Sequence, residues 1–396
     1  MGLGPRFIHG PQSLMIFEIL FWFSLGTLVY VFFGFIIFLW IFSKFRCKAV
    51  QKGDATPSVA VIISALNEEK HIEKKIENCL EIDYPRDRVE IIVVSDGSTD
   101  ATDSILAQMR RNYPLLRTYR MPQQRGKTEC QNLAVAMANN EILFFTDASV
   151  MHPPDALRIL LRSLCDSSVG CVTGKPIFKR DTGAASMGLS KRDKYEFYLR
   201  SKLGEVSTLF GAQDCMYAVP RVIYSPVRVD LDSGFVGPLQ LLEKGYRTVY
   251  EPQAVAFVDR RAPNLKDELT RRSRICLRGL RGLIYMRHLM NPFTYGFVAL
   301  ALISARLLRW LTPLFLIALF VSNLFLLGSP FYLLSFALQA AFYLTALIAF
   351  LVASRGHRLS FLLYVPLYFC VLACSAGVGL KRLLVGETGQ MWQTRR

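Results

Sequence analysis

Apolar positions are spread unevenly along the chain. Residues 19–42 carry no charged side chain. As a helix rising about 1.5 Å per residue they reach ~36 Å, enough to cross a ~30 Å hydrocarbon core. The stretch lacks the short apolar region and small-residue cleavage site of a signal sequence, so it is expected to stay in the mature protein. Beyond Asn291 the uncharged stretches 311–327, 331–354 and 360–380 are each close to span length and predict three further membrane helices. Residues 293–310 are apolar but interrupted by Arg306 and Arg309. They read as an amphipathic helix lying along the interface, with both guanidinium groups at headgroup level. Counted as a fourth span instead, they would reverse the side on which the chain ends, and the parity stays open.

Between these ends the pattern changes to short β-branched runs separated by helical periodicity. VAVII (59–63) reads as a buried parallel strand that delivers Asn67, Glu68 and Glu69 to a loop, followed by a helix over 70–80. VEIIVVSDGSTD repeats the unit, with a strand over 90–95 ending on Asp96, Gly97, Ser98 and Asp100. Ser98, Thr99 and Asp100 also suit the cap of the next helix. A third helix, RGKTECQNLAVAMANN, leads into a strand over 142–145 that ends on Asp147. Repeated strand–turn–helix units predict a doubly wound α/β domain, whose ligands bind beyond the carboxyl ends of the strands. The expected division is residues 1–56 as first span and basic linker, 57–262 as soluble domain, 263–310 as basic interface helices, and 311–396 as membrane helices and tail.

Composition narrows this picture. With 52% of 396 residues hydrophobic, the chain is no disordered polyelectrolyte. Lys44, Arg46, Lys48 and Lys52 follow the first span directly, which predicts a cytosolic soluble domain. The excess of 47 basic over 31 acidic residues is concentrated partly in 260–290. Beside membrane helices, such a stretch points to lipid headgroups or a ligand's phosphates, and nucleic acid is not expected as a partner. Nine cysteines and five histidines form no CxxC or HxxxH, so no zinc site is expected. The GKT fragment is no phosphate loop, because Met121 stands where the earlier glycine is required, and no GxGxxG follows a strand. What remains is a set of acids at three strand ends, Glu68, Asp96 and Asp147, with Lys127 nearby in sequence. Acids would repel phosphate unless one holds a hard divalent cation on a diphosphate and another accepts hydrogen bonds from a base or sugar.

These motifs, from SALNEE to MWQTRR, resemble the family 2 glycosyltransferases, in particular the membrane-embedded branch of hyaluronan, cellulose and poly-N-acetylglucosamine synthases. The resemblance implies a GT-A-type fold with a Rossmann-like nucleotide-binding half and transmembrane helices at both ends. It implies that Asn67, Glu68 and Asp96 bind the uridine of a UDP-sugar, with Lys127 beside the nucleotide. Asp147 in TDAS stands for the first acid of the family's D-x-D and would hold Mg2+ or Mn2+, while Ser149 replaces the second acid by a weaker neutral ligand. The family's acidic pair, whose second carboxylate deprotonates the acceptor, falls on Ser233 and Gly234. Asp232, with Asp230 two residues earlier, is the nearest acid. Asp214 is a second candidate base, because relatives carry a small residue there. The QxxRW motif falls on Arg271, Arg274 and Ile275, so Arg274 would hold the leaving diphosphate while the aromatic platform is missing. The tail GETGQMWQTRR, with Trp392, resembles a W-x-x-T-x-R ending, one residue shorter between the tryptophan and the threonine.

The resulting expectation is a multi-pass inverting glycosyltransferase of the cytoplasmic membrane that moves a sugar from a nucleotide-diphosphate donor to a growing polysaccharide. Single transfer to a lipid-linked acceptor is the enzymatic alternative, favoured by the missing tryptophan. A non-catalytic scaffold with a degenerate fold is the third reading, favoured by Ser149 and Gly234. An accessory subunit is a further partner compatible with the resemblance.

Overall fold

The computed structural model describes residues 11–179, 184–259, 265–355, 357 and 359–387. Trp392, Arg260, Arg261 and Arg358 lie outside them. The soluble domain is built on one eight-stranded sheet: β1 (Val59–Ala65), β2 (Val89–Ser95), β3 (Leu116–Arg120), β4 (Ile142–Asp147), β5 (Val150–Met151), β6 (Val169–Lys179), β7 (Tyr217–Pro220) and β8 (Arg247–Asp259). The strand order is β3-β2-β1-β4-β7-β6-β8-β5. β3, β2, β1 and β4 run parallel, as the continuous apolar runs require, whereas β7 pairs antiparallel with both β4 and β6. The parallel half is therefore doubly wound and the other half mixed. Every residue of β1 is buried. Burial of each Val or Ile there contributes about 1.5–3 kcal/mol.

The register sets the site. Ala65 lies opposite Ser95, and Ser64 opposite Asp147, so β1, β2 and β4 end level with one another. Helices Ile72–Leu80, Thr102–Asn112 and Lys127–Met137 return the chain between them.

Among the described residues, three helices are long and apolar enough to cross a membrane: Leu14–Phe45, Pro330–Ser354 and Phe361–Leu384. The first contains a π-helical turn at Tyr30–Gly34. The expected span over 311–327 corresponds to a shorter helix. Its helix, Thr312–Phe325, is 14 residues long, ~21 Å by its rise, which is too short to cross alone. It pairs with Phe297–Trp310 across a 63° bend, as a broken span or a re-entrant loop.

The interface reading of 293–310 is corrected. Ala301, Leu302 and Ala305 are buried in the same core cluster as Phe35 and Leu39 of the first membrane helix and Phe210 of the soluble domain. Arg309 donates to Tyr195 Oη at 2.9 Å and pairs with Glu196 at 3.4 Å, and Arg306 reaches the Phe210 carbonyl. Both guanidinium groups turn into the protein because the helix's small residues are packed against it. Helix Leu265–Tyr285 docks on Phe361–Leu384 so closely that a Cβ on Gly379 would lie 2.9 Å from the Ser273 carbonyl, and Arg272 there donates to Tyr368 Oη at 2.6 Å.

Candidate active site

The carboxyl ends of β1, β2 and β4 gather the predicted acids at one edge of the sheet. Asn67 has a positive φ of 52°, a conformation that Asn tolerates better than most residues. Its side-chain oxygen accepts from the Thr99 amide at 2.8 Å and its amide donates to Ser98 Oγ at 3.1 Å. Asn67 thus ties the first loop to the second. Glu68 lies at the start of the following helix, where its carboxylate meets His71 Nδ1 at 3.0 Å.

Asp96 is fully buried. Its two oxygens accept the amides of Arg125 at 2.7 Å and Gly126 at 2.9 Å. Desolvation pushes its pKa up and these two bonds pull it down, with a net rise. The carboxylate thereby shapes the turn that opens helix Lys127–Met137. Gly97, at φ 68°, passes so close to this turn that a Cβ would sit 3.0 Å from the Gln123 and Gln124 backbone. Asp100 does the capping, accepting from the Thr102 amide at 3.0 Å.

One residue beyond that turn, the Lys127 ammonium bonds Asp147 at 2.6 Å and lies 3.6 Å from Asp214. Two carboxylates from β4 and the loop before β7 thus share one cation. Burial nevertheless leaves the Asp147 pKa raised, with Lys127 opposing the rise and Asp214 adding to it. Asp214 Oδ1 is buried and without a hydrogen-bond partner. Gly234 explains its position, because a Cβ there would fall 2.3 Å from Asp214 Oδ1 and 3.4 Å from Asp232 Oδ1. The Asp214 carboxylate fills the space in which a side chain at 234 would begin.

Asp232 precedes helix Ser233–Glu243 and its carbonyl accepts the Val236 amide at 2.7 Å. Desolvation and the charge of Asp214 raise its pKa, against Arg278 and Lys127. Asp230 is committed elsewhere, to Arg228 at 2.6 Å and Arg281 at 2.7 Å.

On helix Leu265–Tyr285, Arg271 pairs with the buried Glu268 at 3.0 Å, and Arg272 shares that carboxylate. Arg274 is half-buried one turn before Arg278. Arg278 donates to the Leu231 carbonyl at 2.9 Å and to Thr128 Oγ1 at 3.4 Å, beside Asp232. Sequence reasoning counted Arg278 only within a basic stretch. Its one-turn spacing from Arg274 was the available signal.

Behind the acids lies a buried knot that the sequence did not reveal. The Lys75 ammonium, fully buried, donates to Thr146 Oγ1 at 3.2 Å, the Val150 carbonyl at 2.7 Å and His152 Nδ1 at 3.0 Å. His152 Nε2 meets the Cys215 carbonyl at 3.2 Å, which Thr146 Oγ1 also bonds at 3.1 Å. Burial, then Lys75, keeps His152 well below its ordinary pKa and hence neutral. The neighbours of Asp147 and Asp214 are thus tied to each other.

Among the described residues no three His, Cys, Asp or Glu side chains form a metal-binding group. Asp147 with Ser149 supplies hard oxygen donors suited to Mg2+ or Mn2+ only if a ligand's own oxygens complete the shell.

Residues 60–218 match the family model Glycosyl transferase family 2. The chain carries a family 2 glycosyltransferase domain. Within that family it is 34% identical over 126 residues to a beta-monoglucosyldiacylglycerol synthase of Synechocystis, covering 30% of this chain and 26% of that protein. It is 24% identical over 219 residues to a poly-beta-1,6-N-acetyl-D-glucosamine synthase of Staphylococcus aureus, covering 52% of this chain and 50% of that protein. The chain thus spans about a quarter to a half of these curated relatives. The mannosyltransferase PcManGT from Pyrobaculum calidifontis, solved in complex with GDP-Man and Mn2+, superimposes with a TM-score of 0.71 over 94% of this chain and 99% of that one, at 20% identity. That likeness identifies the GT-A-type fold and extends through the terminal helices.

Proposed function

We propose that the chain is a multi-pass membrane glycosyltransferase that moves one sugar, with inversion, from a nucleoside-diphosphate donor to a lipid-linked acceptor, its soluble domain facing the cytosol. The observation that carries the reading is Asp214. An acid stands where the family resemblance expects a small residue, a glycine stands where it expects the acid, and the two occupy one another's space. The base has moved across the cleft rather than been lost, which argues against the scaffold reading. Asp214 takes the acceptor's proton as the oxygen attacks the anomeric carbon, a contribution of about 10²–10⁴ in rate.

Lys127 holds Asp214 and Asp147 together before the donor arrives. Asp147 and Ser149 would hold a divalent ion, and the Mn2+ of the solved mannosyltransferase supports that role. When bound, the ion supplies charge neutralisation for the diphosphate. Arg278 and Arg274 stand on one helix face to stabilise the departing diphosphate by charge-assisted hydrogen bonds. Asn67, Glu68 and Asp96 shape the nucleotide end. Ile275, exposed where the resemblance expects an aromatic platform, favours single transfer. The match to a glucosyldiacylglycerol synthase supports a lipid acceptor, whereas the match to a poly-N-acetylglucosamine synthase supports polymer growth as the second reading.

Membranes containing the chain, incubated with radiolabelled UDP- and GDP-sugars and Mg2+ or Mn2+, test this. Label is expected in the organic-extractable fraction, dependent on Asp147 and Asp214. Label confined to a high-molecular-weight product selects the polymer reading. Turnover by no donor leaves the scaffold.

A further inference from the structure

Helix Lys127–Met137 does more than present Lys127 to the acids. Positions 127, 128, 131 and 132 share one face by their spacing, and each reaches across to another segment. Lys127 holds Asp147 and Asp214. Thr128 Oγ1 donates to the Leu231 carbonyl at 2.8 Å, and Gln131 Oε1 accepts the Ser233 hydroxyl. Asn132 is the most fully engaged of the four. Its Nδ2 donates to the Val227 carbonyl at 2.7 Å, while its Oδ1 accepts the Val227 amide at 3.2 Å and the Tyr224 hydroxyl at 3.3 Å. One side chain thus answers both backbone groups of a single residue, as a neighbouring strand would. Asparagine is a poor helix former, so its place in the second turn is explained by the bonds it makes outside the helix.

Those bonds matter because the segment they hold has no ladder of its own. Residues 224–232 form neither strand nor helix and run directly into helix Ser233–Glu243. Side chains stand in for the ladder: besides Asn132 and Thr128, Arg278 donates to the Leu231 carbonyl at 2.9 Å, and Lys244 to Ser225 Oγ at 2.8 Å. At its far end the segment becomes the acceptor wall. The Gly234 carbonyl accepts the Ala212 amide at 2.7 Å, and the Cβ that Gly234 lacks would lie 2.3 Å from Asp214 Oδ1. A shift of the segment therefore moves Gly234 against the proposed base or away from it. At the near end Tyr224 stacks on Phe145, two residues before Asp147, with ring centroids 5.8 Å apart. The bonds that shape the nucleotide end, at Asn67, Glu68 and Asp96, do not involve Asn132.

We propose that Asn132 is a positioning residue for the transfer step. By clamping Val227 it sets the segment that ends on Gly234, and with it the space in which Asp214 meets the acceptor. Its action falls on the chemical step and not on donor binding. The effect on rate rests on the transferase reading, whereas the clamp itself is read by amide exchange, without turnover.

The full chain in neutral detergent is compared with Asn132→Ala, Asn132→Asp and Tyr224→Phe by hydrogen exchange, by the Tm shift with UDP or GDP plus Mn2+, and by initial rates at saturating donor. Asn132→Ala is expected to speed amide exchange over 224–232 at least about tenfold and to lower kcat at least about tenfold, with the nucleotide Tm shift as in the wild type. Tyr224→Phe, which removes only the longest of the three bonds, keeps the wild-type rate. In Asn132→Asp an ionised carboxylate repels the Val227 carbonyl, whereas a protonated one donates to it. The rate of that variant relative to wild type should therefore rise as the pH falls through the carboxylate range. Packing alone gives no such recovery, and the recovery carries the test should the Ala variant not fold. A ratio flat with pH, or an unaltered rate in both Asn132 variants, overturns the assignment. So does an equal loss in Tyr224→Phe, which would place the effect on the Tyr224 hydroxyl. Exchange that speeds in Asn132→Ala while the wild type turns over no donor leaves the clamp standing and contradicts the transferase reading.

Discussion

If Asp214 and Gly234 have exchanged an acid and a small residue, the exchange can be reversed. Asp214→Asn keeps the volume and removes the base. Its expected effect is a fall in kcat of about 10²–10⁴, or ~2.7–5.4 kcal/mol of lost transition-state stabilisation at 1.36 kcal/mol per decade. Donor KM should hold, because the interaction is made as the proton moves rather than on binding. Gly234→Asp alone should also be inactive. With a Cβ 2.3 Å from Asp214 Oδ1, the new side chain must expel the resident carboxylate and detach it from Lys127. The double variant Asp214→Gly with Gly234→Asp removes that clash and returns one carboxylate to the same space. It is expected to recover at least about tenfold over Asp214→Gly. Initial rates of nucleoside diphosphate release at saturating donor read all four chains. Full turnover in Asp214→Asn, with activity abolished in Asp232→Asn, would transfer the role to Asp232. A double variant no better than Asp214→Gly would mean that the shared space is only packing.

Three further outcomes follow from the same geometry. Ser149→Asp completes a D-x-D pair and is expected to lower the Mn2+ concentration for half-maximal activity at least about tenfold; an unchanged requirement places the ion away from Ser149. Asp232→Asn is expected to raise Tm at neutral pH, by about 2–4 °C for each kcal/mol recovered. Its folded pKa is raised, so ionised Asp232 costs stability at pH 7. That cost, and with it the variant's advantage, should disappear as the pH falls below the ordinary carboxylate range and both states become protonated; a gain that persists there refutes the electrostatic cause. Lys75→Met leaves the Val150 carbonyl and its neighbours short of a donor, at about 1–3 kcal/mol for each unsatisfied group, and should lower both Tm and kcat, the latter measured well below the transition. Lost stability with kcat intact would make Lys75 structural only.

The strand ends were legible because a buried parallel strand writes itself as a β-branched run and stops at the first polar cluster. Asn67, Asp96 and Asp147 are set at one edge by that pattern. Their roles were less legible. Asp96 looked like a ligand group, but the two amides of the turn at Arg125 and Gly126 take up its oxygens, a long-range pairing that no local spacing encodes. Asp232 was the nearest acid in sequence, with Asp230 two residues earlier; the local Arg228 and, once helix Leu265–Tyr285 docks, Arg281 take up Asp230.

Arg306 and Arg309 show the same limit from the membrane side. An arginine in an apolar helix reads as a headgroup anchor because water is its cheapest partner, but Ala301, Leu302 and Ala305 pack this helix on the soluble domain, which turns both side chains inward. An inward charge must be answered by something. Glu196 and the Tyr195 hydroxyl answer Arg309, and the Phe210 carbonyl answers Arg306. The basic excess that the composition assigned to the membrane surface is thus partly held inside the protein, where Arg200, Arg306 and Arg309 line one depression with Glu196.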